Sequence, residues 1–157
     1  MNFDAGHRMK PPPPPEIQIM ALLTCRASRL TAEWAGEQFI PVGEHRTVFT
    51  VSRSDVHRYV RANGVPQGAW SDTPSSVDGL YMVESDGRYS VYLQDRGREI
   101  AGNTFRTRRT AEIALTNWLL AISGTGLFAT THRETGPTSP LQRMRSAVAR
   151  FLWRRVQ

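Results

Sequence analysis

The sequence predicts an α+β fold in which an antiparallel β-meander sheet is covered by helices, with an extra basic amphipathic helix at the C-terminus. Short alternating segments separated by glycine-containing turns predict the sheet between residues 80 and 105. An apolar pattern at helical spacing follows directly after it. The composition, with 39% hydrophobic residues and four tryptophans in 157 residues, is typical of one folded domain with its own core.

The chain is predicted to have three parts. Five consecutive prolines, 11–15, are typical of a stiff polyproline II spacer that closes a disordered leader, residues 1–15. Residues 16–128 form the predicted α+β domain, and residues 129–157 form a loop and the basic C-terminal helix. That helix begins at Ser139-Pro140 and has its apolar side chains on one side, at Leu141, Met144, Val148, Phe151 and Leu152.

The first part of the domain is predicted to hold a helix and two strands. The segment PEIQIMALLTCRASRL, residues 15–30, begins with proline and glutamate, as helices often do. Its apolar residues recur at spacings of three and four, at Ile17, Met20, Leu23 and Ala27. The segments 31–42 and 45–51 have the composition of strands and predict a small antiparallel meander.

A second short helix is predicted after residue 51. Ser52 is a candidate N-cap, Asp55 follows three residues later, and Asn63-Gly64 is a stop signal. A strand continuing from Val51 is the alternative. Residues 63–78 are rich in Gly, Pro, Ser and Asp and predict a loop, in which Trp70 packs against the body.

Three strands and two tight turns follow. The strands are 80–84, 88–94 and 98–105, and the turns are centred on Asp86-Gly87 and Arg96-Gly97. Because side chains alternate along a strand, one set on the middle strand faces inward and the other faces outward. We expect Tyr89, Val91 and Leu93 to point inward, and we expect the outward row to be Arg88, Ser90, Tyr92 and Gln94.

The predicted helix after the sheet covers the inward face. Thr107 is a candidate N-cap and Gly124 ends the helix. The apolar stripe that would pack on the sheet consists of Ala111, Ala114, Leu115, Trp118, Leu119 and Ile122.

The net charge of +6 is concentrated in the tails. Residues 134–157 contribute +4 through five arginines and Glu134, whereas residues 16–133 contribute only +1. A uniformly basic nucleic-acid module would have its charge in the body. The single cysteine, Cys25, cannot form an internal disulfide, and no stretch is typical of a signal peptide or a transmembrane span. These observations predict a cytoplasmic protein.

The sequence offers no recognisable catalytic motif. The four histidines, 7, 45, 57 and 132, lie far apart and have no metal-ligand spacing with Cys25. The glycine-rich stretch SGTGLF, residues 123–128, follows a helix, whereas a phosphate-binding loop precedes one. We therefore predict a non-catalytic protein without a cofactor or a metal.

Two basic features have an ordinary and a functional interpretation. Arg106, Arg108 and Arg109 surround the start of the helix after Thr107, where cations oppose the helix dipole. They are either a solvated surface or, with the free helix amides, a grip for a carboxylate or phosphate of a partner. The C-terminal helix either packs on its own domain or lies on anionic lipid or nucleic acid.

Residues 79–120 resemble a segment of small immunity proteins from bacterial polymorphic toxin systems. In those proteins, a strand pair of the type Asp-Gly-x-Trp/Tyr-x-Val-Tyr precedes Glu-Arg-Gly, a phenylalanine and a helix rich in Ala and Leu. The corresponding residues here are 86–92, Asp95-Arg96-Gly97, Phe105 and the helix from Arg108, with Asp95 in place of the glutamate. The predicted first helix and residues 30–42 also resemble the front half of such proteins, so the resemblance covers roughly residues 16–122.

The resemblance implies that the chain binds a cognate toxin domain and blocks its active site. Such a protein needs a stiff face with aromatic and arginine side chains, which dominate the energy of many interfaces. Our candidate partner-binding residues are Arg88, Tyr92, Gln94, Asp95, Arg96, Arg106, Arg108 and Arg109. Asp95 and Arg96 have an equally ordinary interpretation as turn residues, with Arg96 paired to Glu99.

The charge balance constrains both interpretations. An inhibitor of a cationic nuclease is expected to be acidic, so the neutral body predicts a toxin whose site is not strongly basic, or one with an acidic surface. The alternative function is a small nucleic-acid-binding accessory protein that uses the C-terminal helix and the cluster from Arg106 to Arg109. Peripheral attachment to a membrane through residues 140–157 is a third interpretation.

Overall fold

The structure is a computed structural model that describes residues 10–36 and 45–128. The predicted leader before residue 10, the predicted strand residues 37–42 and the predicted C-terminal helix lie outside these ranges. The α+β class is confirmed, because the described residues form five helices and a four-stranded sheet.

Two helices replace the single helix predicted for residues 15–30. Helix α1 spans Pro15–Leu23 and helix α2 spans Ala27–Ala35. Cys25 between them has a φ of 56°, which ends the first helix, and the Arg26 amide donates to the Ala21 carbonyl oxygen at 2.8 Å. The prediction was therefore right about helical residues but missed the break.

The predicted strands 31–42 and 45–51 are wrong where the structure describes them, because residues 31–36 and 45–51 belong to no strand. Residues 31–35 belong to α2, and helix α3 spans His45–Val48. The Thr31 hydroxyl donates to the Ala27 carbonyl oxygen at 2.9 Å, one helical turn earlier, and accepts a contact from His45 Nδ1 at 3.2 Å. This buried contact joins the two helices and outweighs the β propensity of the short segments.

The polyproline segment lies against the domain. Trp34 Nε1 donates to the Pro11 carbonyl oxygen at 3.0 Å, and Gln18 Nε2 donates to the Pro13 carbonyl oxygen at 2.6 Å. Gln18 is almost fully buried, and its Oε1 also accepts the Thr50 and Val51 amides. One side chain thus fastens the prolines to the chain that enters the next helix.

Helix α4 spans Arg53–Asn63 and confirms the predicted capping box. Ser52 Oγ accepts the Asp55 amide at 3.2 Å, and Asp55 Oδ2 accepts the Ser52 amide at 2.9 Å. The helix ends at Gly64, which has a φ of 78°. The alternative of a strand continuing from Val51 is excluded.

The sheet is mixed rather than purely antiparallel. Strands β1 (Trp70–Ser71), β2 (Gly79–Ser85), β3 (Arg88–Asp95) and β4 (Arg98–Phe105) lie in this order, with β1 parallel to β2 and the other pairs antiparallel. The short β1 falls in the predicted loop, and Trp70 is buried there as expected.

Helix α5 spans Arg108–Ile122 and covers one face of the sheet. Thr107 Oγ1 accepts the Thr110 amide at 3.2 Å, which confirms the predicted N-cap. The core lies between this face of the sheet and the helices, and its buried residues include Leu22, Val56, Val60, Leu80, Met82, Val91, Leu93, Leu115 and Leu119. None of the described helices is both long and apolar enough to cross a lipid bilayer.

Candidate functional site

The sheet surface opposite α5, which we call the outer face, is the candidate site. Strand register places Tyr81, Tyr92 and Gly102 side by side across β2, β3 and β4. Because α5 packs on the other face, the side chains of this face are exposed or half-exposed, apart from the buried Tyr81. Its members are Tyr81, Val83, Ser85, Arg88, Ser90, Tyr92, Gln94, Glu99, Gly102 and Thr104.

Residues 72–78, which we call the covering loop, fold over one end of the outer face. The Tyr81 hydroxyl bonds to Ser75 Oγ and to the Val77 carbonyl oxygen, which leaves Tyr81 only 3% exposed. Gln94 Nε2 donates to the carbonyl oxygens of Ser75 at 2.9 Å and Val77 at 3.0 Å. Gln94, a predicted partner-binding residue, therefore already holds the covering loop.

Tyr92 is the aromatic centre of the outer face. Its ring stacks on Tyr81, with centroids 5.1 Å apart and planes inclined by 13°. The pKa of the Tyr92 phenol lies above its ordinary value, first because of partial burial and then because of Tyr81 and the Glu99 carboxylate. The phenol therefore stays neutral and acts as a hydrogen-bonding and stacking group.

Glu99 reaches the outer face because β4 contains a β-bulge. The ladder shifts after Leu93, so that Gln94 pairs with Glu99 and Ile100 is the extra residue. The Glu99 carboxylate then lies above Gly102, where an added Cβ would overlap Glu99 Oε1 and would lie 2.9 Å from Tyr92 Cβ. An alanine at this position would require the flexible Glu99 carboxylate to move and the backbone to shift slightly away from Tyr92 Cβ.

These residues line an open groove of about 520 Å³. Hydroxyl and amide groups dominate it, and Ser90 Oγ and Thr104 Oγ1 lie 3.3 Å apart. Glu99 is the one charged side chain among the described lining residues, which are Val83, Ser85, Ser90, Tyr92, Glu99, Gly102, Asn103 and Thr104. The groove is therefore a polar surface with an aromatic wall and a single negative charge.

The remaining predicted contact residues of the sheet lie at its ends. Arg88 begins β3 opposite Ser85 and is exposed. Asp95 pairs with Arg98 across the second turn, where Arg96 has a φ of 54° and is exposed. Within residues 10–36 and 45–128, no ion pair joins Arg96 to Glu99.

The three arginines near the start of α5 do not act as one group. Arg108 Nε pairs with Glu112 Oε1 at 2.9 Å along the helix, which also raises the pKa of the guanidinium. Arg109 lies instead on the side of α5 that approaches α4, and Arg106 is exposed before the helix begins. Adjacent positions in the sequence thus lie on different surfaces.

Arg109 belongs to a second groove that the sequence did not predict. This groove of about 320 Å³ lies between α4 and α5 and is lined by His57, Val60, Arg61, Arg109, Glu112 and Ile113. His57 Nε2 lies 3.1 Å from Asn117 Oδ1 and donates to it, because an amide oxygen only accepts. His57 and Arg61 are four residues apart, so the sequence alone indicates that they share one side of a helix. That α5 packs beside this side of α4 could not be inferred from the sequence.

Cys25 packs against the hydrophobic core, and His45 is buried beside helix α2. Burial raises the pKa of the Cys25 thiol to about 11, so that little thiolate is present at neutral pH. His45 is buried, and its Nδ1 donates to Thr31 Oγ1, because the Thr31 hydrogen is already donated to Ala27. Across the described parts of the chain, no group of three or more His, Cys, Asp or Glu side chains could hold a metal ion.

Comparison with known proteins adds no relative. No family model matches the chain, and no curated protein or solved structure is significantly similar to it. The functional interpretation therefore depends on the residues and surfaces described above.

Proposed function

We propose that this chain is a non-catalytic binding protein that neutralises a cognate bacterial toxin domain by covering its active site. The outer face is its proposed contact surface, with Tyr92 at the centre. Arg88 and the turn residues Asp95 and Arg96 form the rim. The observation that carries the proposal is a polar and aromatic sheet face that lies away from the core and is covered at one end by the covering loop.

Preorganisation supports this choice of surface. Strands β2, β3 and β4 are paired along most of their length, with Ile100 of the bulge as the extra residue. The covering loop is fixed by Gln94 and by the Asp78 carboxylate, which accepts the Gly97 amide at 3.1 Å. A face that is already ordered loses little conformational entropy when a partner binds. Large apolar area is not required, since many interfaces are as polar as the rest of the surface.

The chemistry of the face also fits recognition. Tyrosine and arginine are enriched among residues that dominate interface energy, because each combines a large contact area with hydrogen-bonding groups. Tyr92 is held by its stack on Tyr81, so its ring is presented in one orientation. We therefore assign it the largest single contribution to binding.

The test is to look for a long secreted protein encoded next to this gene and to co-express the chain with the C-terminal domain of any such protein. We expect the chain to restore growth and to bind that domain with a 1:1 stoichiometry in calorimetry. Tyr92→Ala should weaken binding by at least about 2 kcal/mol, as expected of a central interface aromatic. Arg96→Ala, at the rim, should weaken it by less than about 1 kcal/mol.

The matched control is a residue that does not belong to the outer face. Arg61→Ala, in the groove between α4 and α5, should leave binding unchanged. Growth rescue that persists in Tyr92→Ala together with Arg88→Ala and Arg96→Ala, at unchanged affinity, would contradict the outer face as the contact surface. Absence of any binding to the neighbouring domain would contradict the function itself.

A nucleic-acid-binding function is the second candidate, and the second groove favours it. Within the described residues, Arg61 and Arg109 flank that groove without an ion pair, whereas Glu112 is already paired with Arg108. This function predicts that affinity for DNA or RNA falls steeply with salt. Arg61→Gln with Arg109→Gln should reduce that slope, and replacing the five tail arginines by glutamine should reduce it further. A salt-independent interaction would exclude it.

A further inference from the structure

We infer that the outer face carries a binding position for an arginine side chain, formed by Tyr92 and Glu99 above Gly102. That the arginine belongs to a toxin domain rests on the proposed function. The position itself is formed by the described residues and can be tested without that domain.

The proposed arginine position lies at a gap in a row of side chains that crosses the sheet. Tyr81, Tyr92 and Gly102 are neighbours on β2, β3 and β4. The ring centroids of the two tyrosines are 5.1 Å apart, close to the ~4.8 Å between neighbouring strands. The rings therefore stack along the direction that crosses the strands. Gly102 has no side chain, and the flexible Glu99 carboxylate lies in the space that a Cβ would take. A planar group that moves this carboxylate aside would continue the stack on the second face of Tyr92.

Glu99 supplies a negative charge at the same place. The β-bulge turns Glu99 to the outer face, and its carboxylate lies where a side chain of residue 102 would begin. Glu99 is exposed and has no ion pair among the residues that the structure describes. A flexible carboxylate beside an aromatic face is thus available to a cation.

Arginine satisfies both features with one group. Its guanidinium is planar and delocalised, stacks on aromatic rings and forms forked hydrogen bonds with a carboxylate. The hydroxyls of Ser90 and Thr104 line the same groove and offer acceptors for remaining N–H groups. Lysine would provide charge but no flat surface. We therefore assign arginine, rather than lysine, to the position.

Local charge favours a cation although the whole chain is basic. The net charge is +6, but among the described residues that line the groove the charged side chain is Glu99. Complementary charge at the point of contact determines which group is accepted. A single arginine also agrees with a partner whose site as a whole is not strongly basic.

The direct test uses Nα-acetyl-arginine methylamide as the probe and the full chain labelled with ¹⁵N. We expect saturable shifts of the Tyr92, Gly102 and Thr104 amides, with a dissociation constant on the order of millimolar. The citrulline analogue has the same shape without the charge and should bind at least tenfold more weakly. The lysine analogue should lie between the two. Equal binding of arginine and citrulline probes, or no saturable shift, would overturn the assignment.

Glu99→Gln is the decisive variant, because it removes the charge at nearly constant shape. It should weaken the arginine probe about tenfold, the effect of one charge-assisted hydrogen bond. Glu16→Gln, an exposed glutamate in the first turn of α1, is the matched control and should bind the probe as the parent does. Gly102→Ala should also block the position, but its Cβ would crowd Tyr92, so folding is checked by its amide spectrum.

The toxin domain separates failure of the assignment from failure of the function. If the domain binds and Tyr92→Ala weakens it, but Glu99→Gln does not, the arginine position is wrong and the proposed function stands. If the arginine probe binds through Glu99 but the domain does not bind, the position stands and the proposed partner is wrong.

Discussion

The inner and outer faces of the sheet consist of alternating residues of the same strands, yet their surroundings are opposite. On β3, Val91 and Leu93 are buried beneath α5, whereas Ser90 and Tyr92 line an open groove. The side chains of Val91 and Leu93 pack in the hydrophobic core, whereas the outer face keeps polar groups in contact with water. Stability and the proposed recognition therefore depend on neighbouring positions in the chain, and substitutions should separate them.

The largest effect is expected from the inner side. Leu115→Ala removes a fully buried side chain of α5 and leaves a cavity over the sheet. We expect the free energy of unfolding to fall by about 3 kcal/mol, measured by urea denaturation. Ile113→Ala is the matched control on the same helix, because Ile113 is 43% exposed, and should cost less than about 1 kcal/mol. Equal losses for the two variants would contradict the assignment of the covered face.

Loss of the buried side chain of Gln18 should reduce the free energy of unfolding more than loss of the half-exposed hydroxyl of Ser90. Gln18→Leu leaves the Thr50 and Val51 amides without their acceptor, and the Val51 amide is buried. We expect a loss of about 2 kcal/mol in the free energy of unfolding, since an unsatisfied buried amide costs about 1–3 kcal/mol. Ser90→Ala, which removes a hydroxyl from the outer face, should change it by less than about 0.5 kcal/mol. A neutral Gln18→Leu would show that water replaces the glutamine.

The aromatic pair should contribute a smaller amount to stability. Tyr92→Leu keeps an apolar side chain on the outer face but removes the stack on Tyr81. We expect the free energy of unfolding to fall by about 1 kcal/mol, within the range measured for aromatic pairs. Tyr92→Phe keeps the stack and is the control. If Tyr92→Leu is as destabilising as Leu115→Ala, the outer face is part of the core and the comparison of the two faces fails.

Local signals explain what the sequence predicted. The Ser52 capping box, the Thr107 N-cap and the two glycine turns depend on residues within a few positions of one another. Alternation along β3 likewise placed Tyr92 on the outer face without knowledge of the other strands.

Long-range packing explains what the sequence missed. Thr31 is helical although its segment has strand composition, and its contact with His45 spans 14 residues. Glu99 faces the groove only because of a bulge whose position depends on the pairing of β3 and β4. The groove that contains Arg109 exists only because α5 lies against α4. None of these can be inferred from spacing within one segment.

The smallest expected effect is the most direct test of the geometry beside Tyr92. The Glu99 carboxylate contributes to the raised pKa of the Tyr92 phenol, because a nearby negative charge disfavours the phenolate. Glu99→Gln should therefore lower that pKa, as followed by the tyrosine ¹³Cζ resonance in a pH titration. The raised pKa of Tyr89 depends on burial and on Glu84, so its titration should not move and is the internal control.

The raised pKa of Tyr92 also makes the free energy of unfolding depend on pH. A phenol whose pKa is raised by folding contributes stability that is present below its ordinary pKa of 10.0 and is lost as the pH rises above it. Glu99→Gln should make this loss smaller, while unfolding at pH 7 stays within about 0.5 kcal/mol of the parent. An unchanged Tyr92 titration would mean that the carboxylate is not beside the ring. The arginine position would then lose its charged half, and the outer face would retain only its aromatic and hydroxyl groups for recognition.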